Sequence, residues 1–435
     1  MQRRHALFLA LAATLVALPA ASQKAAKNPP TNLYIDVSTQ NMAGMPDMGG
    51  MLGGLGGFMA KRMGGADTSK PTYPTTRGTG GMTGQYLDIA LHNALKPGVE
   101  AQELIPGGLN LGKSLTLIPI EPTKPGQAPT TGGKIPDVEV KISEYWGCSA
   151  SVRPGQPKVA TFKVKGGAVN GKGGMQGMDF QSTGSLSKGL YAPDRDIDLK
   201  PGYVYWPNRK HGKQVPNGAR LAGEHRITGD GIPASMQFQV DQAADFMPKL
   251  ALRTQGEATA AVGLSWPSVD RARAYFITGM HMQMLGENSY ALTIWSSADV
   301  AGAGSELHSY LSGGFIDKWL KQKILLPSTA TSCTIPRGIF AGSSNVEGGQ
   351  MTMPGMLMMT AYGPESWITY PPKPADPKQP WNPEWSVRLR AKSTATAMLG
   401  MDFGGMEQQE DGEGQPQQQQ KKPGMKGLLK GILGG

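Results

Sequence analysis

Between residues 30 and 400 apolar and polar positions alternate in short runs, and this two-residue period predicts strands. The series opens at 32–38 (NLYIDVS) and resumes at 85–92. There Tyr86, Asp88, Ala90 and His92 share one side, and Leu87, Ile89 and Leu91 the other. Runs at 114–120, 138–146 and 158–164 follow, then shorter ones at 202–206, 219–227 and 235–240. The pattern strengthens at 258–266, 273–284 and 290–296, with Gly286, Glu287 and Asn288 as a hairpin turn between the last two. Strands at 356–362 and 385–398 complete the set. Only 314–325 carries a helical period: Phe315, Ile316, Trp319, Leu320 and Ile324 share a face, and Pro327 stops the run. The pattern predicts a mainly-β protein of two β-sandwich-like domains, 23–250 and 251–400, with one amphipathic helix.

Two stretches break the alternation. Residues 42–65 hold 6 Met and 9 Gly in 24 positions, and a Pro/Thr/Gly run follows at 68–84. Glycine at that density carries too much backbone entropy to order without a partner, so 41–84 is expected to be a disordered insertion. Past Met401 the chain turns to Gln, Glu, Gly and Pro, which predicts a disordered tail over 401–435. Its last ten residues, 426–435 (KGLLKGILGG), mix lysine with leucine and isoleucine, as a segment lying on a membrane surface does. A sticky tail with no membrane role is the other reading.

The N-terminus adds a location. Arg3, Arg4 and His5 precede an apolar run from Ala6 to Leu18, followed by Ala20, Ala21 and Ser22. That order predicts a secretory signal peptide over 1–22; its apolar run is shorter than the ~20 residues a membrane span needs. The net charge of +10 is spread along the chain with no Lys/Arg block. It favours anionic envelope surfaces, lipid or acidic glycan, over nucleic acid. The two cysteines, Cys148 and Cys333, suit one disulfide in an exported protein; two separately buried thiols are the alternative.

From Gly263 to Tyr275 the run GLSWPSVDRARAY resembles the B–C strand region of a bacterial fibronectin type III domain, over residues 262–278 only. The resemblance implies that Trp266 is a core tryptophan, that Tyr275 packs against it from the next strand, and that the module is a binding or spacer unit. It carries over no catalytic residue.

Candidate chemistry is sparse. The chain has no nucleophile elbow, zinc-binding HExxH or phosphate-binding glycine loop, so no enzyme is expected. Asp194, Asp196 and Asp198 alternate, which points to a solvated strand face more than to Ca²⁺. Methionine is the clearer signal. Met42, Met45, Met48 and Met51 form an Met-x-x-Met ladder, and Met175 and Met178 repeat it. Thioethers are soft ligands suited to Cu(I) and Ag(I). Met280, Met282 and Met284 alternate with His281 and Gln283, which places the three methionines on a core-facing strand side and His281 opposite. Trp367, Tyr370, Trp381 and Trp385, clustered around five prolines, are candidates for a stacking platform for glycan or peptide. The leading expectation is an exported bacterial envelope protein that binds or supports envelope components without a cofactor. A periplasmic Cu(I)/Ag(I)-binding protein is the alternative.

Overall fold

The computed structural model describes residues 29–43, 71–77, 83–120, 136–166, 168–169, 175–176, 179–342, 344–346, 349–351, 354–376 and 378–399. All of these belong to one compact unit. The expected signal peptide (1–22), most of the 41–84 insertion, the ladder residues Met45, Met48, Met51 and Met178, and the 401–435 tail lie outside the described residues.

The strands are β1 (Thr31–Met42), β2 (Gly84–Asn93), β3 (Ala101–Leu104), β4 (Ser114–Leu117), β5 (Val138–Trp146), β6 (Lys158–Lys165), β7 (Ala168–Val169) and β8 (Met175–Gln176). Next come β9 (Asp179–Gly184), β10 (Tyr203–Trp206), β11 (Gly223–Gly229), β12 (Gln237–Val240), β13 (Arg253–Gln255), β14 (Val262–Ser265), β15 (Ala274–Gly286) and β16 (Ser289–Ser296). The last are β17 (Leu326–Pro327), β18 (Ser332–Ile335), β19 (Ser344–Val346), β20 (Gly349–Met351), β21 (Met356–Tyr370) and β22 (Trp385–Met398).

Eleven strands form a central sheet in the order β10-β2-β1-β22-β21-β15-β16-β5-β6-β9, with β17 beside β15. Neighbours along it are antiparallel except β1–β22 and β16–β5. Four strands from beyond residue 250, β22-β21-β15-β16, lie between two groups of three from before it, so the expected division between 23–250 and 251–400 is not a break in the sheet.

One face of the central sheet packs on two small sheets, β12-β11-β3-β4 and β13-β14-β18, as a sandwich. Leu33, Ile35, Leu87, Ile89, Val387 and Leu389 meet Leu117, Phe238, Val240, Leu264 and Ile335 in that core, all nearly fully buried. Each such side chain contributes roughly 1.5–3 kcal/mol through removal from water. Trp266, just past β14 of a small sheet, and Tyr275 of β15 in the central one meet there edge to face, ring centroids 5.7 Å apart.

The opposite face carries loops and the helix α1 (Gly313–Lys321), the only α-helix among the described residues. Ile316 and Trp319 of α1 pack with Phe276 and Tyr362 of the sheet. The helix ends earlier than the expected 325, because Lys323 takes a left-handed conformation (φ 54°). The chain then turns Ile324 and Leu325 back into the same cluster.

Cys148, two residues past β5, is bonded to Cys333 of β18. The bond places the folded chain in an oxidising compartment. No helix among the described residues is long and apolar enough to cross a membrane.

Candidate functional site

Four methionine-bearing segments meet at one end of the central sheet. Register places Met280 of β15 opposite Met356 of β21, and Met356 opposite Met398 of β22. Residues directly opposite in antiparallel strands point to the same side, so the three side chains form a row. Met358 and Met42 both oppose Thr396, two residues from Met398, and therefore share that face. Met280 and Met356 are 42% and 41% exposed, and Met282, further along β15, is 45% exposed. His281 is buried at 4%, with its ring 6.4 Å from that of Phe340. The expected arrangement is thus inverted: the methionine stripe faces outward and His281 inward. The cause is local, because the sandwich face here packs on Phe340, whereas among the described residues the methionine side has only partial cover. A cavity of about 280 Å³ opens beside the row, lined by Met280, Thr278, Ile294, Glu144 and Glu306 among others.

The same face continues outward along an arm of β15, β16, β5, β6 and β9. Pairing aligns Met282 with Leu292 and Ile142, and Met284 with Tyr290, Val140 and Phe162; Val138 lies opposite Val164, which lies opposite Phe180. The other side of the arm carries Glu139, Lys141, Thr161, Lys163 and Gln181. This alternation is what a sheet covered on one side needs. Yet the apolar side is not fully buried: Phe180 is 70% exposed and Phe162 38%, and Val138, Val140, Ile142, Tyr290 and Leu292 are intermediate.

Nearer the centre, the face turns ionic. Asp36 of β1 accepts two hydrogen bonds from Arg390 of β22, at 2.7 Å from Nε and 2.5 Å from Nη2. Arg390 Nη2 also donates to Asp196 at 2.7 Å, and Arg77 lies 3.3 Å from the other Asp196 oxygen. Burial would raise the Asp36 pKa, but the charges and hydrogen bonds of Arg390, then Arg388, hold it below its ordinary value of 3.8. Lys392, fully buried, donates to the His308 carbonyl at 3.0 Å, and burial brings its ammonium down to about 8 against the pull of Asp196. His308 bridges the hydroxyls of Thr278 (2.8 Å) and Thr360 (2.7 Å). Burial and then the nearby Lys392 charge push its imidazole down to about 3, so it stays neutral. Asp88 accepts from the backbone N–H and hydroxyl of both Thr75 and Thr76, which anchors the 71–77 segment on the sheet. These groups are consumed by one another.

The expected sites are dispersed in the fold. Asp196 points into the sheet, whereas Asp198 is exposed and bound to Arg77, so the aspartate trio is not a solvated row. Trp385 is 2% exposed and sits in the core against Phe238, so it belongs to packing and not to a surface platform. Tyr370, stacked on Trp385 at 5.7 Å, keeps 42% exposure. Trp367 lies opposite Arg388 on the other face of β21, and Trp381 donates to the Pro371 carbonyl at 2.9 Å. The four aromatics therefore present no single surface. Of the methionine ladders, Met42 closes β1 beside the row and Met175 lies in β8. The residues that do gather, Met280, Met356 and Met398, come from segments that sequence reading treated separately.

A second buried pair gives a pH handle. His225 Nδ1 is 2.8 Å from Glu103 and Nε2 is 2.8 Å from the Leu221 carbonyl, with both side chains fully buried. Two acceptors call for a doubly protonated ring. Burial opposes that charge, but the Glu103 hydrogen bond and charge prevail and raise the pKa above 6.5. A raised folded value means stabilisation that is complete below the unfolded pKa and lost as pH rises through the folded one. Denaturation midpoints measured from roughly pH 6 to 9 are expected to fall on the alkaline side, and less so in His225→Gln. Parallel slopes in both proteins would rule the pair out as the source.

No family model, curated protein or solved structure matches this chain.

Proposed function

We propose that this is an exported, non-enzymatic binding protein of the bacterial cell envelope, and that the apolar side of the β15–β16–β5–β6–β9 arm is its contact surface for an anionic membrane. The observation that carries this reading is that side itself, where Phe162, Phe180 and Met282 stay exposed within a row of half-buried Val, Ile, Leu and Tyr. Contiguous exposed apolar surface on a folded domain marks a place of contact. The net charge of +10 favours an anionic partner, and the basic–apolar–small order of residues 1–22 together with the Cys148–Cys333 bond favours export. The ionic centre of the sheet supports a structural use of its charges, since Asp36, Arg390, Asp196 and Arg77 pair with one another inside the fold.

Flotation with vesicles of phosphatidylglycerol and phosphatidylethanolamine tests it. The full chain is expected to float with them. Each buried phenylalanine contributes roughly 1.5–3 kcal/mol, so Phe162→Asp/Phe180→Asp should cut partitioning about tenfold or more. A variant lacking 426–435 separates the arm from the tail. The reading is lost if wild type stays in solution, or if only the tail deletion reduces flotation.

A further inference from the structure

Three strands that lie far apart in sequence bring three thioethers into one register row at the end of the sheet. Met280, Met356 and Met398 stand directly opposite one another on adjacent strands. Their Cβ atoms are therefore about 4.5–5.5 Å from one to the next, on one face. Methionine has three rotatable bonds beyond its backbone, so sulfurs starting from that spacing can turn toward a shared point. We propose that this row is a binding site for a soft monovalent cation, Cu(I) or Ag(I), held by the three thioether sulfurs.

The chemistry selects the metal class. Thioethers are neutral and polarisable; they bind soft d¹⁰ cations and leave Ca²⁺ or Mg²⁺ to oxygen ligands. Among the described residues, no group of three His, Cys, Asp or Glu is placed to hold a metal ion. A soft site is the metal chemistry that the gathered residues can offer. Met42 and Met358 lie on the same face, each opposite Thr396, two residues along β22 from Met398. Access is open as well. Met280 and Met356 are each about two-fifths exposed, and the cavity of about 280 Å³ next to Met280 has Glu144 and Glu306 in its wall. Carboxylates there favour the approach of a cation without themselves being soft ligands. Binding takes up the metal in its +1 state and requires no electron transfer. This site does not depend on the arm meeting a membrane.

The experiment is an anaerobic Cu(I) titration of the full chain against a competing chelator, repeated with Ag(I) in air. Two variants run beside wild type. One carries Met280→Leu, Met356→Leu and Met398→Leu, which keep volume and strand packing. The other replaces Met45, Met48, Met51, Met175 and Met178 with Leu and leaves the row intact. Outer-shell changes alone typically cost 10–100-fold in metal affinity, so loss of all three ligands should weaken binding about 100-fold or more. The second variant should bind like wild type. In protein labelled at the methionine methyl carbons, Ag(I) should shift the signals missing from the triple variant. Binding that survives the triple substitution, or that disappears only with the second variant, overturns the proposal. So does a wild-type chain that fails to compete with the chelator.

Discussion

Asp36→Asn is expected to cost the fold about 3–5 kcal/mol. Asp36 sits between β22 and β2 in the middle of the central sheet, 3% exposed, with Arg390 bound to both its oxygens and the second cation Arg388 3.8 Å away. Removing its charge while keeping its shape leaves two buried guanidinium groups with Asp196 as the remaining close carboxylate. Uncompensated buried charge, and not the lost pair itself, is what makes the change expensive. Asp198→Asn is the comparison. Asp198 also pairs with an arginine, Arg77, at 3.0 Å, but its side chain is 73% exposed. A surface pair of that kind contributes about 0–1 kcal/mol. Guanidinium denaturation of both variants at neutral pH checks the contrast; equal losses would mean that burial does not set the worth of Asp36.

The same residue predicts an acid limb. Its folded pKa is depressed below 3.8, so its stabilisation is present above that value and is lost as pH falls toward the folded one. Asp36→Asn should therefore flatten the fall in stability below about pH 4.

Much of the strand pattern was readable from the chain, and the reason lies in local alternation. Val138–Trp146 and Trp385–Met398 begin and end where the two-residue period does. β21 runs on to Tyr370, past the expected end at 362, because a register shift between Tyr362 and Glu365 absorbs Gly363 and Pro364 and lets pairing resume. Alternation could not say what covers each side. The strand pattern at 385–398 did not show that Arg388, Arg390 and Lys392 are buried; β22 is covered on both sides because the 71–77 and 194–198 segments and Tyr310 close over them. The methionine stripe on β15 was assigned to the core by the same logic and faces outward. Nor could local pattern show that Met280, Met356 and Met398 are neighbours. That follows from the strand order β22-β21-β15, which is set by long-range packing. The cysteine pairing was easier, since two cysteines leave one intramolecular partner each.

Breaking the Cys148–Cys333 bond is expected to cost roughly 2–5 kcal/mol, within the ~5 kcal/mol ceiling that the chain-entropy model gives for a loop of this size. The bond closes 185 residues of sequence, so most of the effect comes from freeing the unfolded chain. The folded state contributes a second, local consequence. Cys148 follows β5, whose partners are β16 and β6, and Cys333 lies in β18, whose sheet packs in the main core. The bond thus ties the root of the arm to the sandwich, beside the Ser149 N–H to Thr334 carbonyl contact of 2.9 Å. Reduction should lower the denaturation midpoint of the whole protein and, at lower cost, release the arm. Hydrogen exchange in β5, β6 and β9 is expected to speed up before exchange in β1, β2 and β22 does, because the latter group is held by the buried ionic centre and by the apolar core. Cys148→Ala/Cys333→Ala should reproduce both results without reductant. If the midpoint falls while exchange rises evenly across the sheet, the bond acts on the unfolded state alone. If neither changes, the arm is anchored by its strand pairing, and the bond contributes little to holding it.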